Sequence, residues 1–181
     1  MAIKVDVSPC LLVIPIVLSL LLSSQHFATA SNENEIGNSL ITKTCNGTEY
    51  PDVCTSILES DPRSSNADLT GLSRIALELT ATKVNVTAAV AYKLMRNAGG
   101  YVEFGNAQAC YVGYNSSVHE INEEGLKYFD ERKYEEANEV VASVNKQINY
   151  CATLRIGALD ESNTLLGKFT TDLKTILHLL F

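Results

Sequence analysis

The 181-residue sequence is short of positive charge: 14 lysines and arginines face 21 aspartates and glutamates, for a net charge of −7. A protein of that sign repels phosphate backbones and anionic lipids, so the composition disfavours nucleic acid or a charged membrane surface as a partner. Histidine is also scarce, and His119 and His178 lie far apart in the chain. Their separation argues against a zinc site, which needs closely spaced histidines or cysteine pairs.

Motifs of common catalytic sites are missing too. The sequence has no G-x-S-x-G elbow, no H-E-x-x-H and no phosphate-binding glycine loop. His119 and Glu120 are adjacent, but neighbours on a helix point about 100° apart, so they are interpreted as two solvated residues. A di-iron bundle would need Glu-x-x-His on two helices, which is absent. We therefore predict no catalytic residues, no metal and no cofactor.

Long apolar runs are confined to the N-terminus. Lys4 precedes a thirteen-residue run that is apolar apart from Ser19, and Ala28-Thr29-Ala30 has the small-x-small form of a cleavage site. This is the plan of a signal peptide, and the run is too short for the ~20 residues that cross a bilayer. We expect a secreted protein with no membrane contact once the leader is removed. The predicted divisions are a signal peptide at 1–30, a flexible N-terminus at 31–39 and one domain at 40–181.

Three N-x-S/T triplets accompany the predicted leader, at Asn46, Asn85 and Asn115. In a secreted protein such triplets are acceptors of N-linked glycan. All three are predicted glycosylation sites, and Asn46 is favoured because it lies in a loop.

Apolar residues recur every three or four positions through most of the chain, and no segment alternates as a strand would. This predicts an all-α domain. Two short helical pieces flank the Asn46-Gly47 turn, and four long helices follow. Ser65 and Asp68 have the spacing of a capping box at the start of the first long helix, whose predicted apolar stripe includes Val86. Short links between long helices favour an up-down-up-down bundle. The other long helices are predicted from Val102 to Gly125, after the charged stretch 130–133, and at the C-terminus around Leu165, Phe169 and Leu173.

Four cysteines follow the predicted leader, at Cys45, Cys54, Cys110 and Cys151. An even number in an oxidising compartment favours two disulfides, with three possible connectivities. Cys110 and Cys151 fall on the apolar stripes of their helices, so a bridge between them would join the second long helix to the third. A bridge between the other two would hold the short helices as a hairpin, since two-turn helices are unstable alone.

The order of these features resembles the plant invertase and pectin methylesterase inhibitor family. The resemblance lies in the close pair Cys45/Cys54 with Tyr50-Pro51 between them, and in the run Asp61-Pro62-Arg63-Ser64 followed by Ala67-Asp68-Leu69. Later matches are Cys110 followed by Tyr114, Lys133-Tyr134 followed by Ala137, and Cys151. It covers residues 43 to 181.

The resemblance implies a four-helix bundle preceded by a helical hairpin, with disulfides Cys45–Cys54 and Cys110–Cys151. It also implies an inhibitor, not an enzyme, that binds one-to-one to a secreted or vacuolar carbohydrate enzyme and blocks its cleft. Invertase inhibitors often carry Pro-Lys-Phe where this chain has Arg132-Lys133-Tyr134. The missing proline favours pectin methylesterase as the target over acid invertase. The expected location is the cell wall, with the vacuole as the alternative.

The expected contacts with a partner are Arg132, Lys133 and Tyr134, together with the face of the second and third long helices near Glu120 and Glu124. For the charged stretch 130–136, the other interpretation is a solvated, self-paired turn. The tyrosines around these helices, including Tyr101, are interpreted mainly as core and core-edge residues, and the alternative for a minority of them is a patch that faces a partner. Two other functions stay open: a cytokine-like ligand, which needs two long crossovers, and a small-ligand carrier, which needs an apolar cavity.

Overall fold

The computed structural model describes residues 40–181, and the predicted signal peptide at 1–30 and flexible N-terminus at 31–39 lie outside the described residues. Seven α-helices occupy this part of the chain, and it contains no strand. The helices are α1 (residues 40–45), α2 (Pro51–Glu59), α3 (Leu69–Arg96), α4 (Tyr101–His119), α5 (Leu126–Asp130), α6 (Tyr134–Thr153) and α7 (Gly157–His178). A 3-10 turn (Pro62–Asn66) precedes α3, and a π turn (Glu120–Gly125) joins α4 to α5.

The first long helix starts later than predicted, at Leu69 and not at Ser65. Asp68 is the N-terminal cap, since its side chain accepts the Gly71 N–H at 2.7 Å. Ser65 belongs to the preceding 3-10 turn, where its hydroxyl donates to the Pro62 carbonyl at 2.9 Å. The predicted capping box is therefore wrong: Asp68 acts as the cap itself.

The second long helix is longer than predicted. It does not end at Gly125 but runs through the π turn into α5 and ends at Asp130. Gly125 is buried, and a side chain added there would place its Cβ only 3.3 Å from Cγ1 of Val140 on α6. The glycine thus permits close packing against α6 and does not terminate the helix.

The bundle consists of α3, the α4–α5 helix, α6 and α7, each packed on the next, with α7 closing on α3. The links between these four helices are short, at residues 97–100, 131–133 and 154–156. Short links make sequential helices antiparallel neighbours, which confirms the predicted bundle. The two long crossovers of a cytokine-like topology do not occur between residues 69 and 178.

The hairpin of α1 and α2 packs on one end of the bundle, against α7 and α3. A disulfide joins Cys45 to Cys54, with the two Cα atoms 5.5 Å apart. We call this the hairpin end; the α5–α6 turn lies there too, because Phe129 belongs to the same apolar cluster as Ile57 and Leu58. A second disulfide, Cys110–Cys151, joins α4 to α6 towards the far end. Both predicted pairings are confirmed.

Two residues of the predicted stripes are exposed. Val86 is 61% exposed and Leu165 is 38% exposed, whereas Val84 and Leu166 are buried. Each residue turns a helix by about 100°, so an error of one or two positions in the phase of a stripe moves a side chain off the core. Among residues 40–181, no helix combines the length and the apolar character that crossing a membrane requires.

Candidate functional site

The turn between α5 and α6 has a tightly defined backbone. The Arg132 N–H donates to the Phe129 carbonyl at 2.9 Å, and the Lys133 N–H donates to the Tyr128 carbonyl at 2.8 Å. These two bonds form a Schellman motif, and Arg132 occupies its left-handed position with φ of 59°. Glycine is usual there, because other residues are strained at positive φ. The backbone thus holds residues 131–133 at the surface, where all three are exposed.

Lys133 is held in place by two neighbours. Its Nζ lies 2.6 Å from Oε2 of Glu131 and 5.9 Å from the centre of the Tyr128 ring. The hydrogen bond with Glu131 raises the pKa of Lys133, and the same bond lowers the pKa of Glu131. Both side chains are well solvated, so the pair adds little stability. Its consequence is orientation: the ammonium group is directed over the turn.

Tyr134 differs from the two cations before it. Its ring meets the Phe129 ring edge-on, with centroids 5.2 Å apart, and Phe129 is buried. Tyr134 is half-buried as a result. The predicted trio therefore splits into two exposed cations, Arg132 and Lys133, and an aromatic ring packed against the core.

Glu120 and Glu124 lie on the π turn, at the same end of the bundle as the α5–α6 turn. Glu120 is half-buried and accepts a hydrogen bond from the Ser116 hydroxyl at 3.0 Å, whereas Glu124 is exposed. Glu124 precedes the end of α5 by six residues, or ~9 Å along a helix axis. No ion pair among residues 40–181 connects these glutamates to Arg132 or Lys133. The two predicted groups share a region without contacting one another.

The exposed face of α4 and α6 carries apolar side chains, whereas the sequence prediction placed only Glu120 and Glu124 on it. The exposed fractions are 90% for Tyr101, 71% for Val102, 59% for Val112 and 50% for Tyr150. For Tyr101 the main interpretation, a core-edge residue, is wrong, and its exposure agrees with the alternative of a surface patch. We call these four residues the apolar face. A signal was present, because residues 101–118 contain one charged residue, Glu103, and apolar residues on all sides.

Asp172 on α7 fastens the hairpin to the bundle. Its carboxylate is fully buried, and Oδ1 accepts the Tyr50 N–H at 2.9 Å across 122 residues of sequence. Tyr50 directly precedes α2 at its N-terminal cap position, where its own side chain makes no capping hydrogen bond. Burial raises the pKa of Asp172, while the bond from Tyr50 opposes that shift. Sequence reasoning missed this contact because it is entirely long-range.

Other buried polar groups fit a structural role. Tyr114 donates its hydroxyl hydrogen to Oδ1 of Asn163, and burial raises the pKa of Tyr114 to about 12. Residues 40–181 contain no group of histidine, cysteine, aspartate or glutamate that could hold a metal ion.

A cavity of about 390 Å³ lies at the far end of the bundle, between the links 97–100 and 154–156. Its walls mix apolar Leu94, Ala107 and Ile156 with polar Asn97 and Arg155. It lies at the end of the helices and not within the apolar core, so it lacks the character expected of a carrier's ligand site.

The three predicted glycosylation sites are all exposed. Asn46 lies in the turn between α1 and α2, as expected, whereas Asn85 and Asn115 lie within α3 and α4. In the two helical triplets the hydroxyl residue, Thr87 or Ser117, is buried. Glycan attachment at these three positions stays a prediction.

Comparison with known proteins gives a consistent family. A family model described as plant invertase/pectin methylesterase inhibitor matches residues 39–173. Pectinesterase inhibitor 28 of Oryza sativa subsp. japonica is 47% identical over 49 residues, which cover 27% of this chain and 22% of that protein. Pectinesterase inhibitor of Actinidia deliciosa is 28% identical over 86 residues, which cover 48% of this chain and 46% of that protein. The chain thus matches less than half the length of either relative.

Two solved structures share the fold. A crystal structure of a pectin methylesterase inhibitor from Arabidopsis thaliana has a TM-score of 0.59 and 15% identity, and covers 79% of this chain and 97% of its own. A mutant form of such an inhibitor from Arabidopsis has a TM-score of 0.65 and 16% identity, and covers 74% and 92% respectively. At these identities the likeness shows the fold alone.

Proposed function

The chain belongs to the plant invertase/pectin methylesterase inhibitor family, and on that premise we propose that it is a secreted, non-enzymatic inhibitor that binds a plant pectin methylesterase one-to-one and covers its active-site cleft. The observation that carries the proposal is the family match over residues 39–173, supported by two relatives that are both named pectinesterase inhibitors. Inhibition would need no covalent step, since a rigid bundle can exclude substrate by occupying the cleft.

The contact surface we propose combines the α5–α6 turn with the apolar face. A helix of 19 residues such as α4 is ~28 Å long. Two helices packed side by side are ~20 Å wide, which gives a surface of somewhat over 500 Å². A standard protein interface buries ~800 Å² on each partner. The helical face alone is therefore too small, and the turn at the hairpin end would complete the contact.

The composition of this surface suits an interface. Tyrosine is enriched and charge is depleted at the centre of protein interfaces, while the rim is polar. Tyr101 and Tyr150 belong to the apolar face, and Glu120 and Glu124 follow at the end of α4. We expect a partner surface that is apolar opposite the face and basic opposite these glutamates. Complementary charge of this kind mainly accelerates association, and salt reduces the acceleration.

Pectin methylesterase is preferred as the target over acid invertase. Both curated relatives carry the name pectinesterase inhibitor, and Arg132 stands where many invertase inhibitors have proline. One observation favours acid invertase as a second candidate: Lys133 is exposed directly before an aromatic residue, Tyr134. The proposed location is the cell wall, with the vacuole as the alternative.

A direct assay tests the proposal. Purified protein comprising residues 31–181 is mixed with a plant pectin methylesterase, and in parallel with an acid invertase, at mildly acidic pH. We expect micromolar inhibitor to suppress release of methanol from pectin and to leave sucrose hydrolysis unchanged. Suppression of the invertase alone would reverse the choice of target, and full activity of both enzymes would contradict the proposal.

A further inference from the structure

A chain of ion pairs runs over the surface at the hairpin end, from the segment that follows the hairpin to the α5–α6 turn. We call it the charge chain. It consists of five alternating charges from three parts of the structure, the 3-10 turn with its cap, α3 and α5: Asp61, Arg63, Glu78, Arg74 and Asp130.

The charge chain begins at the Asp61-Pro62-Arg63 segment. Nη2 of Arg63 lies 2.6 Å from Oδ2 of Asp61, and its Nε donates to Oδ1 of the same carboxylate at 3.0 Å. Nη1 of the same guanidinium reaches Glu78 on α3 at 2.7 Å. Arg63 thus uses separate nitrogens for two carboxylates, which a lysine, with one nitrogen at its tip, cannot imitate. The guanidinium also lowers the pKa of Asp61, as expected for a charge-assisted bond.

The charge chain ends beside the α5–α6 turn. Glu78 pairs through its other oxygen with Nε of Arg74 at 3.2 Å, and Nη1 of Arg74 pairs with Asp130. Asp130 is the last residue of α5 and directly precedes the turn 131–133. Arg74 is therefore the side chain through which α3 contacts the end of α5 by charge.

We propose that Arg74, supported by Glu78 and Arg63, is a positioning residue that fixes the α5–α6 turn in the orientation in which Arg132 and Lys133 meet the partner. The functional part of this inference depends on the proposed docking of the turn. The structural part does not, because it concerns the free protein.

The physical argument is about orientation and not about global stability. An exposed ion pair contributes at most about a fivefold change in an equilibrium constant, but a network with bidentate geometry holds its members better than isolated pairs do. The turn's own hydrogen bonds set its shape, and Phe129 packs in the core at its base. The pair between Arg74 and Asp130 adds a link from α3 to the exposed end of α5. Without this ion pair the end of α5 frays. The hydrogen bonds that the Arg132 and Lys133 N–H groups donate then open as well.

Arg74→Gln tests the structural part in the free protein. We expect hydrogen exchange of the Arg132 and Lys133 amides to accelerate by about two- to fivefold, while the melting temperature falls by no more than about 2 °C. Arg96→Gln is the matched control: it removes the same charge from α3, and Arg96 joins no ion pair among residues 40–181. In an Asp130→Asn background, Arg74→Gln should not accelerate exchange of these two amides further. Unchanged exchange in Arg74→Gln would overturn the inference, whatever inhibition shows.

Inhibition of a plant pectin methylesterase tests the functional part. Arg74→Gln and Arg63→Lys should raise the inhibition constant by about two- to fivefold at low salt, and Arg96→Gln should leave it unchanged. Lys133→Ala, measured in parallel, separates the two failures. If Lys133→Ala inhibits as the wild type does, the docking of the turn is wrong. If Lys133→Ala weakens inhibition and Arg74→Gln does not, the positioning role is wrong.

Discussion

Replacing Asp172 by asparagine is expected to stabilise the protein at neutral pH. Asparagine keeps an oxygen that can accept the Tyr50 N–H, which lies 2.9 Å from the carboxylate. It removes the negative charge, which is fully buried in the native state, and replaces the other carboxylate oxygen by an NH2 group. Burying a charge costs free energy, so the isosteric neutral side chain is favoured wherever the carboxyl is ionised.

The sign of the pH dependence follows from the raised pKa of Asp172, whose main cause is burial. A carboxyl whose pKa is higher in the folded state binds its proton more tightly after folding. Its contribution to stability is greatest below its unfolded pKa of 3.8 and is lost as the pH rises through the folded-state pKa. Asp172→Asn has no carboxyl to ionise at this position and does not lose stability in this way. Its advantage over the wild type should therefore be small near pH 4 and should grow towards pH 7.

Asp172→Ala gives the scale for the hydrogen bond itself. This change leaves the Tyr50 N–H without its acceptor, and a bond to a charged acceptor contributes about 1.5–3 kcal/mol. For a domain of this size, about 1 kcal/mol shifts the melting temperature by ~2–4 °C. We expect Asp172→Ala to melt about 5–10 °C below the wild type at pH 4, because the acceptor is lost. The difference should be smaller at pH 7, because only the wild type loses stability as Asp172 ionises.

Thermal and urea unfolding at pH 4 and pH 7, with both disulfides oxidised, measures these differences. Exchange of the Tyr50 amide reports whether the hairpin opens locally before the bundle unfolds. The reasoning is refuted if the wild type gains stability relative to Asp172→Asn as the pH rises. That outcome would mean that hydrogen bonds to the carboxylate outweigh the cost of burying it.

Three further changes test the site and the scaffold. Lys133→Glu should raise the inhibition constant for pectin methylesterase at least about tenfold, since it reverses an exposed charge at the proposed contact. Lys93→Glu on α3 is the control. Equal inhibition by both variants would show that the contact lies elsewhere. Arg132→Gly should stabilise the protein by about 0.5–1 kcal/mol in urea unfolding, because glycine accepts the positive φ of 59° without strain; destabilisation would show that the Arg132 side chain makes a compensating contact. Replacing Cys110 and Cys151 together by alanine should lower the free energy of unfolding by about 4 kcal/mol on the chain-entropy account of a 41-residue loop. A decrease below about 1 kcal/mol would show that contacts between the α4 and α6 segments already restrict the unfolded chain.

Helix periodicity and cysteine order were sufficient to predict the elements of this fold. The four long helices and the short hairpin follow from local spacing, which a helix of 3.6 residues per turn imposes on any apolar stripe. The cysteine count left three connectivities open, and the pairing was what the family resemblance implied. The details that failed are the ones that neighbours decide. Val86 and Leu165 were placed on the core although they are exposed, because the phase of a stripe depends on which two helices it packs against.

The candidate site divides in the same way. Exposure of Arg132 and Lys133 was predictable from a charged stretch between two helices, whereas the packing of Tyr134 on Phe129 was not. Gly125 was interpreted as a helix end, yet its role is to admit Val140 from another helix. In each case the sequence specifies the residue, and the partner that gives it a role comes from a distant part of the chain.

The amino-acid sequence alone thus determined the helical class, the covalent pairs and the family resemblance, since these depend on local periodicity and on the order of a few residues. Tertiary structure alone decided that Asp172 holds the hairpin, that Arg74 reaches Asp130 and that Tyr101 faces solvent. The physical reason is that such contacts join residues tens to more than a hundred positions apart, and their geometry exists only after the helices have packed.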